Sequence, residues 1–328
     1  MLAYVVRRLG YGLVTVLGVL LLLFVLFFAV TDPQDIARRA VGEKALQEVY
    51  DQWIHNHGYD RPLVLNQEHP WNSLSRYTDT LLFEHYRRML TFDFGRSDAD
   101  DTRIMDRIRA GVGPSLFLTV PLFLIGIVTG IALSLVIAFF RGTYIDWMGV
   151  VVCVMAMSIA AVIYIIGGQF VLGTALRWFP ISGFDMAPEL LPRFLALPVL
   201  VGLMSSVGSD VRFFRTVFVE ETSRDYVRTA RAKGCGEGRI MWSHVLHNAM
   251  LPILTSVVVS IPFLFTGALL LENFFGIPGL GSMTVEAIQG SDFATLRTMV
   301  FIGALAFILG QILTDISYVV ADPRVRLS

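Results

Sequence analysis

Lys44 and Lys233 are the only lysines in the chain, and neither follows a glycine, since Glu43 precedes one and Ala232 the other. A phosphate-binding loop needs Gly-Lys-Ser/Thr after a glycine-rich turn, where backbone N–H groups cradle the phosphates and the lysine reaches the outer ones. ATP, if used, is therefore hydrolysed by another chain. Zinc hydrolysis fares no better. His244 and His247 stand three apart with no acid after the first, so the His-Glu-x-x-His helix is absent and both read as polar residues at a membrane boundary. Ser182-Gly183 lacks the glycine two residues before the serine that a Gly-x-Ser-Gly nucleophile motif requires. His55, His57 and His69 could ligate a metal, but no cysteine or further clustered ligand stands beside them. No catalytic, cofactor or metal residue is assigned.

A different kind of site is written in Glu220-Glu221-Thr222-Ser223-Arg224-Asp225-Tyr226-Val227-Arg228-Thr229-Ala230-Arg231-Ala232-Lys233-Gly234. Ser223 is expected to cap a helix with Asp225 in its first turn. Arg228, Arg231 and Lys233 load the second half, and Gly234 offers the left-handed residue that closes it. A short closed helix lying parallel to the membrane is what a docking knob needs; the plain alternative is a charged connector. Pro278-Gly279-Leu280-Gly281 is expected to form a type II turn followed by a short helix through Gln289. It is a candidate outer gate or a contact for a binding protein, or else a plain connection. Asp315, an acid near the end of an apolar run, reads as structural.

These residues must be positioned by membrane helices. Of the 328 residues, 55% are hydrophobic and only 16% charged, against about 25% charged in soluble domains. A soluble fold this poor in charge would aggregate, disorder is excluded by the same numbers, and two cysteines make no disulfide scaffold. Charge-free runs cover Leu9–Thr31, Ala110–Phe140, Trp147–Leu176, Phe194–Ser209, Ile240–Leu271 and Thr298–Thr314, of 23, 31, 30, 16, 32 and 17 residues. About 20 apolar residues cross a bilayer. The fourth run gains Leu190, Leu191, Val211, Phe213 and Phe214 at its ends, and the sixth extends past Asp315, so six spans are expected. The first run is longer than a signal h-region and is read as an uncleaved span. Gly126-x-x-x-Gly130 permits close helix approach, and Pro114, Pro121, Pro198, Pro252 and Pro262 can kink helices.

Twelve cationic residues lie at the two termini and in the loops on their side: Arg7, Arg8, Arg141, seven between Arg212 and Arg239, Arg324 and Arg326. The short loops opposite hold Arg177, Arg193 and Arg297. The positive-inside bias puts both termini in the cytoplasm. The organisation expected is an N-terminal span over 1–31, an outer segment over 32–109, and a five-helix core over 110–328 with an inner loop at about 211–246. The net charge of −1 draws no nucleic acid.

The run from Asp225 to Gly234, followed by His244-x-x-x-Asn248-Ala249-Met250-Leu251-Pro252, resembles the signature loop of ABC importer permeases, specifically the B-type subunit of dipeptide and oligopeptide importers. Further agreement lies in Tyr4–Arg8, Asp93-Phe94-Gly95-Arg96-Ser97, Pro278–Gly281, Leu313-Thr314-Asp315-Ile316-Ser317-Tyr318 and Asp322-Pro323-Arg324. Arg228-Thr229-Ala230 stand where the wider family has Glu-Ala-Ala, and Thr31-Asp32-Pro33 where it has Gly-Asp-Pro. The resemblance implies an all-α, six-span, type I importer-like permease of the bacterial inner membrane. It implies a second permease, two ATPase subunits holding ATP and Mg, and a periplasmic or lipid-anchored binding protein. Tyr226, Arg228, Thr229, Ala230, Arg231, Lys233 and Gly234 would then couple to an ATPase. Peptides are the implied cargo, with nickel, opines, glutathione or modified peptides as alternatives. A secondary carrier or intramembrane enzyme is the reading from another class; a carrier should show half-repeats and a midplane ion site, which the sequence lacks.

Overall fold

The computed structural model describes residues 2–42, 44–66, 75–265 and 267–321. His69 and the tail Asp322-Pro323-Arg324 lie outside the described residues. In chain order the helices are α1 (Leu2–Phe24), α2 (Pro33–Val41), α3 (Gln47–His57), α4 (Ser75–Thr78), α5 (Leu81–Leu90), α6 (Ile104–Phe139), α7 (Tyr144–Ser158), α8 (Ala161–Gly168), α9 (Leu191–Thr222), α10 (Asp225–Ala232), α11 (Glu237–Arg239), α12 (Leu246–Ser260), α13 (Leu269–Phe275), α14 (Leu280–Gln289) and α15 (Phe293–Ala321). Among the described residues the only extended pairing is an isolated bridge between Arg96 and Arg103.

Among the described residues, five helical stretches are long and apolar enough to cross a bilayer: Val6–Phe28, Ile104–Phe139, Leu191–Thr222, Glu237–Ser260 and Phe293–Asp315. The sixth expected span is Tyr144–Ser158 joined to Ala161–Ala175 with a bend of 90°. Neither proline nor glycine marks that bend. Ile159 and Ala160 both adopt extended backbone, at ψ 127° and 142°. Tyr164 Oη donates to Ala156 O at 2.9 Å, reinforcing a carbonyl that at the break keeps only a long bond, 3.4 Å, from the Ile159 N–H. The 32-residue fifth run is also not one helix. It stops at Ser260, passes through a tight turn over Ile261–Phe265 containing Pro262, and restarts at Leu269 after Gly267, whose φ is +76°. Proline lacks the N–H that would continue the ladder.

The chain divides into two compact units that do not follow chain order: residues 1–113 with 279–312, and residues 114–278 with 313–328. In the first, α5 ties itself to backbone carbonyls of α1, His85 Nε2 meeting Leu20 O at 3.1 Å and Tyr86 Oη donating to Leu17 O at 2.9 Å. The start of α15 is capped by two carboxylates. Asp292 accepts from the backbone N–H groups of Thr295 and Asp98 and from Ser97 Oγ at 2.6 Å, while Asp98 accepts from Ala294 N at 2.8 Å. Helix N-termini carry partial positive charge, so two acids are well placed there. Burial pushes the Asp98 carboxyl above its ordinary range, opposed by Arg297 and the Ala294 N–H. Ser97, the last residue of the Asp93–Ser97 stretch, thus serves to join the long segment to the cap of α15.

In the second unit α9 runs unbroken for 32 residues and packs on α7 and α8. A Cβ on Gly208 would stand 2.8 Å from Cys153 O, so only glycine lets α7 approach that closely. Gly126 and Gly130 both turn toward α9, lying against Leu203 and Phe214 respectively, so the small-residue pair of α6 is a packing face. Asp146 receives Arg215 Nε at 2.8 Å and the Gly142 N–H at 3.1 Å, fixing the start of α7 to α9.

The His85 ring is buried, and desolvation first, then Arg297, lower its pKa from 6.5 to about 4. The folded protein therefore refuses a proton that the unfolded chain accepts near 6.5. The corresponding stability is complete above that value and is lost as pH falls toward 4, by roughly 3 kcal/mol. Thermal unfolding of the purified protein followed from pH 7 to pH 4 should show this loss, and His85→Gln should flatten the profile over that window.

Candidate coupling site

The loop at 211–246 begins where α9 ends. Ser223 is not the cap of the next helix. It closes α9, its Oγ donating to Glu220 O at 2.6 Å, and Arg224 stands at the N-cap of α10 with no side-chain bond. Asp225 does fall in the first turn. The reason is register: the chain leaves α9 one residue later than the Ser-Arg-Asp spacing suggested, and the serine hydroxyl is spent on the preceding turn.

The far end matches the expectation. Lys233 is the C-cap and Gly234 has φ +80°. Gly234 N donates to Arg231 O at 2.9 Å and Cys235 N to Ala230 O at 3.1 Å, the paired bonds of a Schellman closure. Half-buried Cys235 packs with the cluster beneath, giving that motif its apolar contact. A Cβ on Gly234 would meet nothing within 4 Å, so any penalty for replacing it within this chain is conformational, about 1–2 kcal/mol.

Burial divides the helix into two faces. Val227 is fully buried and Ala230 nearly so, seated on Phe218 from α9 and on Ile240, Val245, Ala249 and Ile253 at and after the return of the chain. Covering a valine this completely contributes on the order of 2 kcal/mol. Tyr226 is half-buried and donates to Glu221 Oε2 at 2.8 Å; burial, then that carboxylate, push the phenol up to about 12. Tyr226 and Ala230 therefore anchor the helix from within. Arg228, Thr229, Lys233 and Gly234 face outward. Arg231 is exposed but held by Glu237, Nε to Oε1 at 2.7 Å and Nη2 to Oε2 at 3.1 Å, a fork across the helix end. Glu221 and Glu237 carry no motif spacing of their own and are visible only once the loop is folded.

The Pro278–Gly281 stretch differs from a type II turn. Gly279 has φ −109° and ψ −173°, extended backbone, and it N-caps α14, its N–H donating to Ser282 Oγ at 3.0 Å. The left-handed residue is Gly276, at φ +65°, which ends α13. The short helix through Gln289 is present as α14. Within α13, Glu272 is fully buried and accepts from Ser115 Oγ at 2.8 Å and from Ala268 N at 3.0 Å. Asp315 is half-buried near the end of α15 beside buried Thr314. His55 meets Asp60 and His57 meets the Trp53 carbonyl; among the described residues no three His, Cys, Asp or Glu side chains gather to hold a metal.

A helical chain with six apolar stretches and a cationic helix packed on α9 and α12 has the makings of a transport subunit, and the sequence comparisons agree. The chain belongs to the family of binding-protein-dependent transport system inner membrane components, whose profile matches residues 112–327, while the profile of that family's N-terminal part matches residues 1–119. It is thus a multi-pass inner-membrane permease of a binding-protein-dependent ABC importer. Among its relatives is a protein of Brucella suis biovar 1 named as a peptide permease, 30% identical over 344 residues and aligned across 100% of both chains. The glutathione transport system permease protein GsiC of Escherichia coli K12 is 29% identical over 329 residues, covering 99% of both chains.

Replacing Val227 with aspartate should unseat α10 while leaving the spans intact. Limited trypsin digestion of the purified protein should then cut at Arg224, Arg228 or Arg231 at least about tenfold faster than in the wild type, as a helix that opens locally by more than 1.4 kcal/mol requires.

Proposed function

We propose that this permease forms half of a path for peptides and that α10 is its docking helix for an ATPase subunit. The observation that carries the second statement is the division of α10 into an anchored face, Val227 and Ala230, and an exposed face bearing Arg228 and Lys233, with the C-terminal end closed. A helix held this way moves with α9 and α12 as one body, so a push on its outer face reaches the spans. The first statement rests on relatives named for peptide and glutathione transport; glutathione is itself a small peptide. In this reading a second permease completes the path, two ATPases supply ATP and Mg, and a periplasmic or lipid-anchored binding protein delivers cargo. Both termini lie in the cytoplasm, on the side with twelve cationic residues. The Pro278–Gly281 stretch, between the last two spans and on the opposite side, contacts the binding protein or gates the path.

Gly234→Val should abolish import while the protein still inserts and pairs with the second permease, because a branched residue resists the left-handed conformation and re-aims the helix end. Cys235→Ser should be mild. Wild-type uptake by Gly234→Val at normal expression would reduce the loop to a charged connector. Purified alone, the chain should hydrolyse no ATP. Single cysteines near Asp60 should react with an impermeant reagent from outside and those near Glu237 only from inside; same-side labelling would overturn the topology.

A further inference from the structure

A groove of about 600 Å³ opens between α6, α9 and the segment from α12 to Gly267, all within the second unit. Its walls are apolar except for one acid, Asp210, and five hydroxyls: Thr119, Ser206, Ser209, Ser256 and Ser260. Each hydroxyl hydrogen is already committed to a backbone carbonyl. Thr119 donates to Ser115 O at 2.8 Å, Ser206 to Leu203 O at 3.5 Å, Ser209 to Ser206 O at 2.7 Å, Ser256 to Ile253 O at 2.8 Å and Ser260 to Ser256 O at 2.9 Å. What these side chains keep for a visitor is lone pairs. An ionised carboxylate likewise only accepts. The side-chain polar inventory of the groove is therefore all acceptor.

Asp210 has no hydrogen-bond or ion-pair partner among the described residues. Of the cations nearest in sequence, Arg212 lies two residues on, a spacing that does not share a helix face with Asp210, and Arg215 is occupied by Asp146. An acid within a membrane helix is costly and ordinarily finds a cation or lines a cavity. Here it lines the cavity. Gly130 of α6 lies against it, since a Cβ there would stand 3.3 Å from Asp210 Cβ and 3.0 Å from the Phe214 ring. The carboxylate is thus approached from that side by bare backbone and by no donor.

We propose that this groove is a cargo subsite for an ammonium group, with Asp210 and the serine oxygens receiving the free α-amino terminus of a peptide. An ammonium brings three donors and one positive charge and no acceptor, the complement of what the groove presents. The apolar walls at Leu122, Phe123 and Val257 take the adjoining side chains without selecting among them. The identity of the cargo rests on the peptide reading above; the preference for an ammonium does not.

The test uses the assembled transporter of both permeases and both ATPases, purified without the binding protein so that its own selectivity does not intervene. Saturation-transfer NMR compares trialanine with propionyl-dialanine, which has the same shape but no ammonium. The wild type should favour trialanine by about tenfold, Asp210→Asn should bind the two alike, and Asp210→Glu should keep the preference. Equal binding of both peptides by the wild type, or an unchanged preference in Asp210→Asn, would overturn the proposal. So would loss of the second permease from the Asp210→Asn complex, which would make the acid a counter-ion across the subunit interface. Cellular import of trialanine by the wild type tests the peptide reading separately. No import, with the ammonium preference present and lost in Asp210→Asn, would leave the subsite standing and remove peptides as its cargo.

Discussion

Hydrocarbon offers no hydrogen bonds, so every backbone N–H and C=O that a span exposes has to be satisfied from within the protein. That constraint organises the second unit. At three places where helices break, a side chain is assigned to the groups set free. Tyr164 covers the Ala156 carbonyl at the bend of the third stretch. Gln169 spends both amide hydrogens on Ile181 O and Phe274 O. Glu272 folds back onto the Ala268 N–H at the start of α13 and receives Ser115 from α6. Tyr164, Gln169 and Glu272 are therefore repairs, whereas the serines of the same stretches bond back onto their own helices. Asp210 is conspicuous because it repairs nothing.

Much of this architecture was legible from the chain. The distances between charges locate all six apolar stretches, because a helix must spend about 20 residues in the bilayer whatever its neighbours do. The closure at Gly234 was legible for an equally local reason, since a cationic turn followed by glycine specifies a left-handed residue with little help from tertiary contacts. The bend at Ile159–Ala160 was not. It contains no helix breaker, and the tyrosine hydroxyl that bridges it and the α9 surface beneath it are apparent only in the folded chain. The cap at Ser223 and the turn at Gly279 were misjudged for the same cause: serine and Pro-Gly each allow two local solutions, and the neighbouring helix ends decide between them.

The site divides along the same line. Which residues of α10 are cationic is sequence; which of them are available is structure. Tyr226 and Ala230 sit in the same motif as Arg228 and Lys233 yet serve the opposite purpose, facing Glu221 and the Phe218 cluster. The motif joins a binding surface to its own foundation. Arg231 belongs to both, exposed and yet clamped by Glu237.

The unmarked bend in the third stretch has a consequence for biosynthesis. The insertion machinery reads hydropathy residue by residue, and 30 charge-free residues from Trp147 to Leu176 read as one straight passage. Nothing in that passage instructs the chain to turn. The turn is supported by α9, on which α7 and α8 both make their most extensive packing. The shape of this element thus depends on a partner that follows it in the chain, α9, and on nothing written in the passage itself.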